Sequence, residues 1–250
     1  MKRQAFIASI VWSWSCICGA QELKKFTIGV EDYPNFLPYS EYKNMEYKGL
    51  GRAILDAFGK QAGYMFSYRV LPLKRRDSMF INGQLDFAFP DNPNWVTDLK
   101  KNVTIRYAPM LDFTDGVLVR NEDIGKGTRH LKLLGIPLGF TPYPYQQLMT
   151  AGALRVEESG NYDALYSKLI AHHIDGAYIN TRIAQYYWTN VRQLKQVPVS
   201  YDPDLPHTSG KWYLSSIKYP KIIAEFDSFL RNNQPLIGEL KKQYGFEDDQ

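Results

Sequence analysis

From residue 26 onward, short apolar runs alternate with stretches of helical periodicity, and the alternation falls into two sets. In the first, residues 26–30 (FTIGV) read as a strand that ends in Glu31-Asp32-Tyr33-Pro34, a loop signal. Gly49 and Gly51 open a helix in which Leu50, Ile54, Leu55 and Phe58 recur at helical spacing, and Gly63 stops it. Residues 66–71 read as the next strand, and residues 74–81 as a second helix closed by Asn82-Gly83. Residues 85–89 form a short apolar strand. Strands alternating with helices imply a parallel sheet with crossover connections.

A lone strand over residues 116–120 (GVLVR) leads through a loop rich in Gly and charge to the second set. Its elements are a strand over 136–140, a short helix over 144–151 and a strand over 154–156. Tyr162, Leu165, Leu169 and Ile170 then mark one face of a helix that Asn161 caps. A strand over 174–179 and a helix over 181–191 follow, with Ile183, Ala184, Tyr187 and Trp188 inward. Val197-Pro198-Val199 and residues 212–217 bring the chain back, and the tail from Pro220 is helical, with Pro235 interrupting it. Each set reads as a small α/β lobe, and two such lobes on one chain enclose a cleft. Chain crossings near Val117 and Val197 make a two-strand hinge. Lobe 1 is then residues 21–116 plus 200–250, and lobe 2 residues 117–199.

The N-terminus adds an address. Lys2 and Arg3 precede an apolar stretch over residues 5–18, and Cys18-Gly19-Ala20 is a small-x-small site with cleavage expected before Gln21. That stretch is shorter than the about 20 apolar residues a membrane span requires, so a cleaved signal peptide (residues 1–20) is expected rather than an anchor. Both cysteines, Cys16 and Cys18, lie inside it, and Ser13 and Ser15 stand where a lipoprotein signal wants an aliphatic residue. The exported chain would therefore carry no disulfide and no thiolate site. Losing Lys2 and Arg3 from 30 basic residues leaves 28 against 26 acidic, too near balance to imply a nucleic-acid partner.

In order and spacing, the motifs of the first set resemble the family 3 extracellular solute-binding proteins, the periplasmic partners of amino-acid ABC importers. The residues that carry the resemblance are Ile28-Gly29-Val30, Tyr33-Pro34-Asn35-Phe36, Gly49 and Gly83-Gln84-Leu85-Asp86. Pro72-Leu73-Lys74-Arg75 is similar to the Pro-Trp-x-Arg element of one branch, with Leu for Trp. The resemblance covers nearly all of the exported chain. It implies a two-lobed periplasmic-binding-protein-like fold of type II, a periplasmic location, a monomer, and a small-molecule ligand delivered to a membrane permease.

Two departures stand out. The family's carboxylate-binding Arg falls about a dozen residues after Gly-x-x-Asp; here Asp98 lies near that place, and Lys100 and Lys101 lack the bidentate fork. The family's Asp for the α-amino group is Asn180 here. A divergent branch with an altered ligand is the expectation.

Eight residues are candidates for the cleft. Asp32, Tyr33 and Phe36 sit at the carboxyl end of the first strand, the edge where open α/β sheets bind ligands, unless the two rings only pack the loop. Arg75 either meets an anionic ligand or pairs with Asp32 or Asp91. Trp95 is a stacking wall or a plug of the lobe. Thr141 and Tyr143 precede a helix whose N-terminus suits an anionic group, although Thr141 also suits a cap. Asn180 contacts ligand or caps the helix that Thr181 begins. No metal is expected, because His172 and His173 are adjacent rather than three or four apart. No cofactor motif, P-loop, G-x-S-x-G or H-E-x-x-H is present. Three functions remain: solute binding for an importer, an orphan sensor feeding a membrane signalling receptor, and, more weakly, a periplasmic enzyme on the same fold that uses Asp32 and Arg75.

Overall fold

The computed structural model describes residues 23–31 and 36–246. The expected signal peptide and the candidates Asp32 and Tyr33 lie outside the described residues. The elements, in chain order, begin with β1 (Lys24–Glu31), the hairpin β2 (Glu41–Lys43) and β3 (Glu46–Lys48), α1 (Leu50–Ala62), β4 (Tyr64–Leu71) and α2 (Leu73–Ile81). Next come β5 (Phe87–Asp91), α3 (Thr97–Lys100), β6 (Arg106–Arg120), β7 (Leu133–Pro137), α4 (Gln146–Thr150) and β8 (Arg155–Ser159). The chain ends with α5 (Tyr162–Ile170), β9 (Gly176–Asn180), α6 (Thr181–Tyr186), β10 (Val199–Tyr201), β11 (Thr208–Ser216), α7 (Pro220–Asn232) and α8 (Gln234–Gln243).

The strands follow one path, β4-β1-β5-β11-β6-β9-β7-β8, with β10 paired to β6. β1 lies parallel between β4 and β5, and β7 lies parallel between β8 and β9. The two parallel sets meet through β6, which is antiparallel to its neighbours. Its residues 106–115 pair with β11, and residues 115–120 pair with β9 and β10. One 15-residue strand thus serves two α/β halves, and the architecture is a two-lobed α/β fold. The expected strand over 116–120 is only the far end of it. Pro109, Asp112 and Asp115 hide the rest from a hydrophobicity pattern, while β11 and β9 supply the ladder partners that hold it extended.

The core follows the helical spacing. Leu50, Ile54, Leu55 and Phe58 of α1 are all buried, as are Ile222, Ile223, Phe226, Phe229 and Leu230 of α7. Phe58 meets Phe226 edge-on at 5.1 Å, a favoured aromatic geometry. In the second half, Val117, Val119, Leu134, Ile136, Tyr145 and Tyr178 form a separate cluster. Pro235 sits in the first turn of α8, where its missing N–H costs nothing, so it opens a helix instead of kinking one.

Two local devices set helix starts. Asn161 accepts a 2.8 Å hydrogen bond from Ala164 N, the N-cap read from the sequence. Asn161→Ala is expected to cost about 1 kcal/mol and to lower the Tm by about 2–4 °C in a thermal melt; an unchanged Tm would remove the cap from the account. At α1 the cap is backbone: Pro38 O and Tyr39 O accept from Leu50 N at 3.1 Å and Gly51 N at 3.0 Å. Gly49 makes this possible at φ 117° and ψ 177°, a region only glycine adopts readily. An added Cβ would sit 2.5 Å from Tyr39 O and 2.6 Å from Ser40 Cα. Gly49→Ala is expected to cost about 1–3 kcal/mol. A denaturant titration that finds no change in stability would contradict this.

Candidate functional site

The carboxyl ends of both parallel sets point at each other across β6, and a cavity of about 160 Å³ lies between them. Lobe 1 contributes Glu31 at the end of β1, Phe36 beyond it, Leu73 and Asp77 of α2, Pro90 of β5, and Trp95 with Val96. The loop after β7 contributes Gly139, Phe140, Thr141 and Tyr143, and β9 contributes Tyr178. Phe113 and Asp115 of β6, with Thr208 and Trp212 of β11, close the back wall.

The back wall is an aromatic stack. Trp212 lies between Phe36 and Phe113 at 5.4 and 5.5 Å, with interplanar angles of 22° and 18°. Trp95 continues the row, 6.4 Å from Phe113. Val96, beside it, adopts φ 44° and ψ 44°, a left-handed conformation that is strained for a β-branched residue.

Under the floor, helical spacing places Leu73, Arg76, Asp77 and Phe80 on one face of α2. Arg76, 1% exposed, donates from Nη1 to Glu31 at 3.2 Å and to Pro90 O at 2.7 Å, and from Nη2 to Asp77 at 2.6 Å. Its Nε also reaches Asp77, at 3.0 Å. Lys100 is engaged in the same manner, 2.6 Å from Asp91 and 2.7 Å from Asn92 O. Ser215 completes that group with a 2.6 Å bond to Asp91. Both cations therefore brace the wall from within the protein.

Asp115 has a different environment. Its hydrogen-bond partner is Asn180 Nδ2, at 3.2 Å. Burial pushes the Asp115 carboxyl up to about 7, with the Asn180 bond opposing and the charge of Glu31 adding. Burial also raises Glu31 to about 7, against the pull of Arg76 and with help from Asp77 and Asp91. In a poorly solvated site the charged form of a carboxyl is disfavoured, and nearby like charges add to the penalty.

The cavity brings together four of the sequence candidates: Phe36, Trp95, Thr141 and Tyr143. Arg75 is exposed on α2 and does not line it; its neighbour Arg76 holds the buried position. Asn180 is fully buried and caps α6, accepting from Arg182 N and Ile183 N at 3.1 Å each, so it reaches the cavity only through Asp115. The expected strand over 136–140 ends at Pro137. Gly139, at φ 85°, turns Phe140 back so that its N–H bonds Pro137 O at 3.0 Å. The loop side chains thereby enter the wall, while α4 begins only at Gln146.

Sequence reasoning missed Glu31, Asp77, Phe113, Asp115, Tyr178 and Trp212. The i, i+4 spacing of Leu73 and Asp77 was a usable signal, as was a lone Asp inside the apolar run FTDGVLV. Among the described residues no group of three or more His, Cys, Asp or Glu is placed to hold a metal ion, and no helix is long and apolar enough to cross a membrane.

A scan of the sequence against protein-family models and against curated proteins finds no match. Solved structures do match. ArtJ, the arginine-, lysine-, histidine-binding protein from the thermophilic bacterium Geobacillus stearothermophilus, is 17% identical with TM-score 0.66, covering 88% of this chain and 95% of that one. An arginine 3rd transport system periplasmic binding protein from Legionella pneumophila is 15% identical with TM-score 0.67, covering 88% and 99%. The ancestral amino acid-binding protein AncCDT-1, a precursor of cyclohexadienyl dehydratase, is 13% identical with TM-score 0.65, covering 89% and 96%. At these identities the likeness establishes the fold. It is a type II periplasmic-binding-protein-like fold of two α/β lobes.

Proposed function

We propose that this chain is a periplasmic solute-binding protein of a divergent family 3 branch. It takes a small polar solute into the interlobe cavity, closes around it and delivers it to an ABC importer. One observation carries the reading: the cavity is walled from both lobes, at the carboxyl edges of both parallel sets, where α/β sheets bind ligands. Closure is stabilised only by contacts that the open form lacks, and Trp95 and Tyr143, on opposite lobes, are placed to make them. The hinge consists of β6 at residues 114–116 and the return segment over 202–207. β10 pairs with the lobe 2 end of β6, which supports a second boundary a few residues beyond 199.

Small-angle scattering and thermal melts of the full chain with amino acids, amines, organic acids and sugars test this. A ligand that raises the Tm is expected to reduce the radius of gyration as well. A Tm shift without compaction would argue against hinge closure. A permease and an ATPase encoded beside the gene would favour import over the sensor role.

A second reading rests on Glu31 and Asp115. Two carboxyls near pKa 7 in one cavity suit general acid–base chemistry, and one of the matched structures is an enzyme's precursor. Chemical turnover of a bound ligand, followed by NMR, would favour it.

A further inference from the structure

The charges around the cavity define a substrate class, an inference that rests on the cleft-binding reading above. Among the described residues, the charged ones lining the cavity are Glu31, Asp77 and Asp115. The guanidinium beneath them, Arg76, is 1% exposed, and all three of its nitrogens donate to Glu31, Asp77 or Pro90 O. Lys100 is held by Asp91 and Asn92 O. The four residues that follow Glu31 in the sequence contain no Lys, Arg or His. A ligand carboxylate would therefore enter a field of like charge with no fork to receive it.

Asp115 is the opposite case, an enclosed carboxylate whose partner is a neutral amide. Around it stand Trp95, Phe113, Phe140 and Tyr143, rings whose faces attract an organic cation. A second, independent observation comes from Trp212. It is 2% exposed and lines the cavity, and its indole N–H has no hydrogen-bond partner among the described residues. Phe36 and Phe113 stack on it and Tyr39 packs against it at 4.3 Å, so the part of the indole that lines the cavity is what remains to meet a ligand. A buried indole N–H ordinarily finds an acceptor.

We infer that the ligand is a small organic cation, an amine bearing a neutral hydroxyl or carbonyl oxygen and no carboxylate. Asp115 and the aromatic rings receive the ammonium, and Trp212 Nε1 donates to the neutral oxygen. Size agrees with this: a cavity of about 150 Å³ takes one benzene ring, so about 160 Å³ suits roughly six non-hydrogen atoms.

The probes are choline, ethanolamine and glycinamide, set against glycine, glutamine, glutamate and glucose, with calorimetry and thermal melts on the full chain. Glycinamide and glycine isolate the carboxylate, since both carry an ammonium and only glycine carries the acid. At least one amine is expected to bind, with glycine and glutamate silent. Asp115→Asn is expected to weaken that amine by about 10–100-fold, the range of a charge-assisted hydrogen bond. Tyr143→Ala, at a side chain 46% exposed, is expected to weaken it without unfolding the protein. Binding of glycine, glutamine or glutamate with the amines silent would overturn the substrate class and leave the cleft reading intact. Binding of glucose alone would do the same. Amine binding unaffected by either variant would place the ligand elsewhere and overturn the inference. No binding by any class would remove the cleft reading along with it.

Discussion

Arg76→Met is expected to destabilise the protein by about 3–5 kcal/mol, the cost of breaking a buried ion pair on one side. Arg76 joins three elements, through Glu31 at the end of β1, Asp77 on α2 and Pro90 O on β5. Met keeps most of the volume and none of the charge, so Glu31 and Asp77 would remain buried with no cation. At about 2–4 °C per kcal/mol for a chain of this size, the Tm should fall by about 10 °C at pH 8. The deficit should shrink at pH 5, because the orphaned carboxyls take up protons there and cease to be buried charges. Arg76→Lys, which retains the charge but loses the fork, should fall between the two. A loss below about 1 kcal/mol for Arg76→Met would mean that water replaces the guanidinium at little cost.

Asp115→Asn should act in the opposite direction, stabilising the empty protein. Asp115 titrates near 7 in the folded state and near 3.9 in an unfolded chain, so the folded state binds the proton more tightly. Its contribution is fully present below the unfolded value and is lost as pH rises through about 7. Asparagine resembles the protonated form and can still accept from Asn180. At about 1.4 kcal/mol per tenfold in proton affinity, the variant should exceed the natural protein by on the order of 4 kcal/mol at pH 8, and the two should converge near pH 4. Thermal melts across that range read the difference directly. Equal stabilities at pH 8 would show that water solvates the carboxylate. A gain in stability together with a loss of amine binding would mark Asp115 as a group kept for function at a cost to folding.

Position in the chain explains why some of the site was legible and some was not. Phe36, Trp95, Thr141 and Tyr143 sit just beyond strand ends, and the rule that ligands bind there needs only the strand pattern. Glu31 was equally well placed, but it read as part of a loop signal. Arg75 and Arg76 are chemically alike and adjacent. Only the phase of α2 separates them, and its turn places Arg76 with Leu73 and Phe80 against the sheet while Arg75 faces water. Asn180 illustrates the reverse: its cap was foreseen as one of two roles, and the tertiary pairing of Asp115 with Asn180 gave its amide a second partner.

By itself, the sequence determined the α/β class, the two sets of elements, the buried face of α1, that of α5 except for Ile170, which is exposed, the cap at Asn161 and the helix start at Gly49. These follow from local spacing, with a period of 3.6 or 2 and the conformational limits of Gly and Pro. Only the tertiary structure decided the 15-residue β6, the aromatic stack on Trp212 and the pairing of Asp115 with a neutral amide. Those features bring together residues from Phe36 to Trp212, more than 170 positions apart. Charge balance and ring stacking at such distances depend on which strands pair, and no short-range pattern carries that information.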